Sequence, residues 1–231
     1  MNHQPNLGTI GPRDDRDRRI AFWSWGLFFG WILTSIGYYG EWIAHPTSAL
    51  TLSGPDMAEF VKFLPAVMDG SLSVIRQLFY LPPLVVSVTV ALLIGSPRLT
   101  MPAYARAVAL ILAIPVSLQM LPPAWSVASL RSPEFMPQTL ALIGSWILLA
   151  LFWLVGRVSL LWSGLVVAAL GLVSLALCAW HIALIKPAIN AVYGMAPGIG
   201  WGFWVSMVGL MVLSLVGFAL AIRNRDRRGQ P

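Results

Sequence analysis

The chain alternates between long apolar runs and short polar breaks. About 20 consecutive apolar residues are enough to carry a helix across a bilayer, so each long run predicts a membrane-spanning helix. The pattern predicts an all-α, polytopic transmembrane helical bundle of about six spans, folded as one membrane domain over residues 20–222. The predicted spans lie at about 20–39, 78–95, 105–121, 139–155, 161–184 and 201–222.

The boundary between the fourth and fifth spans falls inside a single apolar stretch. Residues 139–185 hold only Arg157 and His181 as strongly polar members, and the stretch is too long for one crossing. Gly156 and Arg157 lie near its middle, which predicts a tight turn at that point. The fifth span is then expected to end just before Lys186 and Pro187, because proline disfavours a helix interior.

The longest polar segment between spans, 40–77, predicts a loop that carries one short amphipathic helix. Ser53 suits the N-cap, Pro55 suits the first turn, and Pro65 is expected to end the helix. Two placements remain open: the helix lies on the membrane surface with its apolar stripe down, or it packs over the mouth of the bundle. The stripe consists of Met57, Phe60, Val61 and Leu64.

The distribution of basic residues predicts the orientation of the bundle. Six spans place both termini on one side, and that side then receives 11 of the 15 basic residues. The polar tail 1–19 and the basic tail 223–231 both contribute to this count. Because lysine and arginine are enriched in cytoplasmic loops, both termini are predicted to be cytoplasmic and the 40–77 loop extracytoplasmic.

The composition excludes a water-soluble globular protein, a disordered chain and a disulfide-linked secreted domain. The chain is 58% hydrophobic and 10% charged, whereas about a quarter of the residues of a soluble domain are charged. The net charge of +6 is concentrated in the tails and between spans, so we expect no nucleic-acid partner.

Of the 15 basic residues, 13 are arginine, which is typical of a GC-rich bacterial genome. We therefore expect the protein to be located in the plasma membrane, the inner membrane of a bacterium.

Small residues recur at four-residue spacing in three of the predicted spans. Such stripes let helix backbones approach one another in lipid, where the hydrophobic drive for association is absent. We expect these positions to serve mainly intramolecular packing, with contact to a second protein as the alternative. They are Gly26 and Gly30 in the first span, Ala105, Ala109, Ala113 and Ser117 in the third, and Gly164 and Ala168 in the fifth.

The chain shows little recognisable chemistry. It lacks the HExxH, CxxC, P-loop and GxSxG motifs, so we expect a protein that is not an enzyme. The interiors of the predicted spans contain no Asp or Glu, which counts against a proton-coupled carrier. The sequence requires no cofactor and no metal. The polar candidates on the predicted outer face are Glu41, His45, Asp56, Glu59 and Lys186.

His181 is the one histidine within a predicted span. Its place close to the end of the fifth span favours an imidazole that is hydrogen-bonded at the membrane interface. Ligation of a haem or pigment through a ring nitrogen is the alternative. A haem held by two histidines would need a partner, and His45 is the one that lies on the same side.

These observations favour a structural or accessory subunit of a larger membrane complex. Its expected partners are membrane lipids and other integral membrane subunits. The competing interpretation is a small transport or lipid-handling protein with an apolar cavity gated by the 40–76 loop. Cofactor binding through His181 is a third interpretation.

Overall fold

A computed structural model describes residues 12–47, 50–122 and 125–226. Over these residues the protein is mostly helical, with three short strands. The helices are α1 Pro12–Tyr39, α2 Gly54–Phe60, α3 Pro65–Met68, α4 Leu81–Thr89, α5 Ala103–Leu118, α6 Val127–Arg131, α7 Met136–Ala150, α8 Phe152–Val155, α9 Leu160–Tyr193 and α10 Trp201–Asp226. The strands are β1 Glu41–Ala44, β2 Leu52–Ser53 and β3 Gly198–Ile199.

Four of the described helices are long and apolar enough to cross a membrane. The helical segment around α4 begins with a 3₁₀ turn, Arg76–Tyr80, and continues into a π turn, Val90–Ile94. The apolar helices α5 and α7 are shorter, with 16 and 15 residues. The protein is therefore a membrane-embedded helical bundle. The four segments are Ile20–Tyr39, Arg76–Ile94, Leu160–Tyr193 and Trp201–Arg223.

The segment around α4 lies in the middle of the bundle and is largely buried. It contacts α1, α5, α7 and α9. The hydroxyls of Ser87 and Thr89 donate to the carbonyl oxygens of Pro83 and Val85, at 2.9 and 2.7 Å. Because these polar side chains bond within their own helix, burial leaves them satisfied.

Helix α10 packs between α1 and α9. The contacts include small residues that the sequence analysis predicted to mediate helix packing. A Cβ atom at Gly26 would lie 3.2 Å from Cγ2 of Val216, and one at Gly30 would lie 2.9 Å from Cγ1 of Val212. Across the other interface, Gly164 approaches the backbone carbonyl of Gly217. A Cβ atom at Gly217 would in turn lie 3.5 Å from Cβ of Ala168. These predicted positions therefore lie at the interfaces of α10 with α1 and α9.

The predicted stripe on α5 is buried along its length. Ala105, Ala109, Ala113 and Ser117 are all at most 2% exposed. The indole N–H of Trp146 in α7 donates to Oγ of Ser117 at 3.0 Å. The stripe thus faces the bundle rather than lipid.

The 40–77 segment contains strands that the sequence analysis did not predict. Strand β1 lies between β2 and β3, and both pairings are antiparallel. The strands are two to four residues long and β3 comes from the far end of the chain. Such short strands show no clear alternation of polar and apolar positions, which explains why they were missed. We call β1–β3, α2, α3 and the last turns of α9 the cap.

Helix α2 lies at the predicted place, with Ser53 as its N-cap. The backbone N–H of Ser53 donates to Oδ2 of Asp56 at 2.9 Å. The helix passes into a 3₁₀ turn after Phe60, and Pro65 begins α3 rather than simply ending α2. The stripe residues Met57, Val61 and Leu64 are buried in the protein core. This burial favours packing over the bundle instead of the membrane-surface placement.

Helix α9 continues past the predicted end of the fifth span at about residue 184, through Lys186 and Pro187 to Tyr193. It ends at Gly194, whose φ of 65° is the left-handed conformation that favours glycine. Proline removes one helix hydrogen bond, but Ile185 and Ile189 on either side are fully buried. Packing on both sides of the proline holds the helix together.

Other predicted boundaries differ by smaller amounts. Helix α1 begins at Pro12, inside the predicted tail 1–19, while residues 1–11 lie outside the described part. Helix α10 extends to Asp226, inside the predicted tail 223–231. The stretch predicted as a fourth span is divided at Leu151 into α7 and α8, and a turn at 156–159 precedes α9.

Candidate functional site

A cluster of charged side chains joins the cap to the bundle. Glu59 lies in the last turn of α2, and Arg76 begins the 3₁₀ turn before α4. Nη1 of Arg76 lies 2.8 Å from Oε1 of Glu59. Its Nη2 donates to the backbone carbonyl of Glu134 at 3.0 Å and lies 3.3 Å from the Glu134 carboxylate. We call Glu59, Lys62, Arg76 and Glu134 the ion cluster.

Lys62 completes the charge balance of the ion cluster. Its Nζ lies 2.6 Å from Oε2 of Glu59 and 3.6 Å from Oε1 of Glu134. Each carboxylate therefore faces both cations, and the four formal charges cancel. The side chain of Arg76 is only 9% exposed, whereas that of Glu134 is 52% exposed. Arg76 is thus the buried centre of the cluster.

Aromatic and amide groups surround the ion cluster. The guanidinium carbon of Arg76 lies 4.7 Å from the ring centroid of Phe135, within the range of a cation–π contact. The hydroxyl of Tyr80 donates to Oε1 of Glu59 at 3.4 Å, and Nε2 of Gln77 donates to the Glu134 carbonyl at 3.3 Å. The cluster therefore ties together α2, the start of the α4 segment and the loop before α7.

The chemistry of this cluster is that of a clamp. Each carboxylate faces two cations, so the ion pairs cross-link α2, the start of the α4 segment and the loop before α7. In the part of the chain that the structure describes, no three His, Cys, Asp or Glu side chains come close enough to hold a metal ion.

The five predicted outer-face residues do not form one site. Glu59 belongs to the ion cluster, and Asp56 caps the same helix. Glu41 pairs with Ser53 across the sheet, and His45 follows β1, where its ring lies 5.1 Å from that of Tyr193. Lys186 is half-buried on α9.

Sequence reasoning did not single out Arg76, the buried centre of the cluster. A usable signal was present, because Arg76 is a basic residue directly before an apolar run that holds no charge until Arg98. A cation at such a place can serve as an interface anchor. The sequence did not show that its partners come from 17 and 58 residues away.

His181 is only 2% exposed, so its imidazole is buried in the protein and not open to water or headgroups. Its depth in the membrane stays a prediction. Its Nδ1 lies 3.0 Å from the carbonyl oxygen of Leu177, and its ring meets those of Phe79 and Trp180 edge to face, at 6.0 and 5.0 Å. Because α9 continues beyond Pro187, His181 lies within the helix, where its ring contacts that of Phe79.

His45 and His181, the two histidines among the described residues, lie far apart. His45 contacts Tyr193, which is about 18 Å farther along α9 than His181 at 1.5 Å per residue. The axial nitrogens of a bis-histidine haem lie close together on opposite faces of one iron. The structure therefore does not bring His45 and His181 into one haem site.

Two open apolar grooves flank α5. The first lies between α1 and α5 and has a volume of about 520 Å³; its lining includes Trp31, Ile36 and Pro115. The second lies between α5 and α7, with a volume of about 370 Å³. The hydroxyl of Tyr39 donates to the Pro115 carbonyl at 3.0 Å, which links α1 to α5 at the first groove.

One residue that lines the first groove, Trp31, carries an unsatisfied polar group. Its Nε1 is buried and has no hydrogen-bond partner within the described ranges. A buried N–H without an acceptor is costly, by about 1–3 kcal/mol.

Comparison of the chain with protein-family models, with curated proteins and with solved structures gave no match.

Proposed function

We propose that the chain is a six-span, non-enzymatic protein of a bacterial plasma membrane, with both termini in the cytoplasm. Helices α5 and α7 lie beside the buried α4 segment, which supports counting them as the third and fourth spans. At 1.5 Å per residue, α5 is about 24 Å long, and a bilayer adapts to a short span by thinning. The location of 11 of the 15 basic residues supports the orientation.

Labelling of single cysteines tests this topology. In a Cys178→Ala background, Ser71→Cys places a thiol just after α3, beside the cap, and Thr100→Cys places one between α4 and α5; both positions are exposed. A membrane-impermeant maleimide should label residue 71 in intact cells, and residue 100 only after permeabilisation. Labelling of both positions on the same side, or the reverse pattern, would contradict the proposal.

We further propose that the protein is an accessory subunit of a larger membrane complex. The observation that supports this proposal is the open apolar groove between α1 and α5, whose lining includes the exposed side chains of Ile36 and Tyr39. A transmembrane helix of a partner subunit can pack its side chains into such a groove between two helices.

Filling the groove tests this assignment. Ile36 lines the groove and is 53% exposed, so Ile36→Trp leaves the fold intact but obstructs the groove. Overpacking of a tight contact costs about 1–3 kcal/mol, so recovery of a stoichiometric partner polypeptide in mild detergent should fall at least several-fold. Leu172→Trp is the control, because Leu172 is 60% exposed on α9, outside both grooves. Equal recovery with the two variants would contradict the proposed face.

The same preparation decides between this proposal and its alternatives. A monodisperse protein that carries lipid and no second polypeptide would favour the lipid-handling interpretation, with the 40–76 segment as a gate. A visible absorption band that is lost in His181→Gln would favour cofactor binding, because an amide is a poor ligand for a haem or chlorophyll metal. We expect the partner polypeptide and no such band.

A further inference from the structure

A cleft at the end of the bundle opposite the cap has two arginine residues in its lining. It lies where the start of α1, the turn after the α4 segment, the start of α9 and the end of α10 meet. Its volume is about 20 Å³, room for about one water molecule, and it opens to the outside of the bundle. It is lined by Ile20, Trp23, Arg98, Leu99, Leu160, Leu220 and Arg223.

The depth of the cleft follows from the bounds of the spans. Ile20 and Leu160 are the first residues of two apolar spans, and Arg223 is the last residue of a third. Three spans therefore begin or end at the level of the cleft. In a bilayer this is the level of the lipid headgroups, and the aliphatic walls below it lie at the level of the acyl chains.

Arg98 is held in position at this cleft. Its Nη1 donates to the carbonyl oxygen of Val158, in the turn before α9, at 2.7 Å. A guanidinium group has five N–H donors in a planar fork, and this contact uses one of them. Across the described side chains, neither Arg98 nor Arg223 has a carboxylate within ion-pair distance.

We propose that this cleft binds the phosphate of an anionic phospholipid, with the phosphate at its mouth. A planar guanidinium group matches a phosphate in geometry and forms two parallel charge-assisted hydrogen bonds with it. Basic pockets between transmembrane helices bind anionic headgroups through the same chemistry. The apolar residues beside the two arginines pack against the lipid chains, and Trp23 lies at the depth that indole rings prefer.

Binding of lipids to the full chain tests the proposal. The chain in neutral detergent is titrated with phosphatidylglycerol, with phosphatidylcholine of the same acyl chains, or with inorganic phosphate, and bound lipid is counted by native mass spectrometry. We expect binding of phosphatidylglycerol at least tenfold tighter than that of phosphatidylcholine, and weaker at high salt. Equal binding of the two lipids would overturn the proposal. Full competition by millimolar phosphate would assign the cleft to free phosphate instead.

Substitutions locate the site. Arg223→Gln should weaken binding of phosphatidylglycerol about tenfold, the effect of losing one charge-assisted pair. Arg98→Lys keeps a charge but loses the fork geometry, and should also weaken binding. Arg157→Gln is the matched control, because Arg157 belongs to the same end but stacks on Trp153 at 5.5 Å, outside the cleft. An equal loss in the control would show that general positive charge, rather than the cleft, attracts the lipid.

Discussion

Replacement of Arg76 by methionine is expected to lower the free energy of unfolding by about 3 kcal/mol, the scale for removal of one partner of a buried ion pair. The Arg76 side chain is 9% exposed and serves the carboxylates of both Glu59 and Glu134. Its removal leaves Glu59, which is 19% exposed, with Lys62 as its remaining cation. Equilibrium unfolding with SDS in mixed micelles measures the loss.

Lys62→Met is the matched control within the same cluster. Lys62 is 31% exposed and its ammonium group is also reachable by water, so we expect a loss below about 1 kcal/mol. A double-mutant cycle of Arg76→Met with Glu59→Gln should show strong coupling, since each variant removes the same contact. A loss for Arg76→Met no larger than that for Lys62→Met would show that the cluster is a surface feature without a clamping role.

The helical, membrane-embedded fold could be predicted from the sequence, because the length of an apolar run is a local property. Each of the four long helical segments overlaps one predicted span, although Leu160–Tyr193 extends well past the predicted end at 184. The count of six remains a proposal, since α5 and α7 are shorter than the usual crossing. Their contact with α4 depends on packing between distant segments, which the length of a run does not encode.

The cap and its cluster could not be predicted in the same way. Strand β3 reaches β1 from more than 150 residues away, and Arg76 reaches Glu134 across 58 residues. Neither pairing leaves a periodic trace in the local sequence. The extension of α9 past Pro187 was missed because the rule that proline ends helices ignores the burial of Ile185 and Ile189. The same extension leaves His181 within a longer helix, several turns before its end.

The small-residue stripes were found where the spacing is four, but the tightest contact of α1 with α10 lies elsewhere. Gly37 stands seven residues after Gly30 and has no glycine or alanine four residues before or after it. A Cβ atom at Gly37 would overlap the backbone of α10 at Ser206 and lie 2.7 Å from the Gly202 carbonyl oxygen. The signal that was missed is the spacing of seven residues, or two helical turns, which places Gly37 on the same face of α1 as Gly30.

Gly37→Ala is accordingly expected to be strongly destabilising, although it adds a single methyl group. The atoms in its way are backbone atoms of α10, which cannot rotate aside as a side chain can, so the two helices must separate. Overpacking costs about 1–3 kcal/mol and occasionally more, and we expect the upper part of that range. Gly144→Ala in α7 is the matched control, because nothing lies within 4 Å of the added Cβ. Alanine favours a helix over glycine by about 1 kcal/mol, so the control should hold or gain stability in the same SDS titration. If both variants unfold at the same SDS concentration, α1 and α10 do not pack through Gly37.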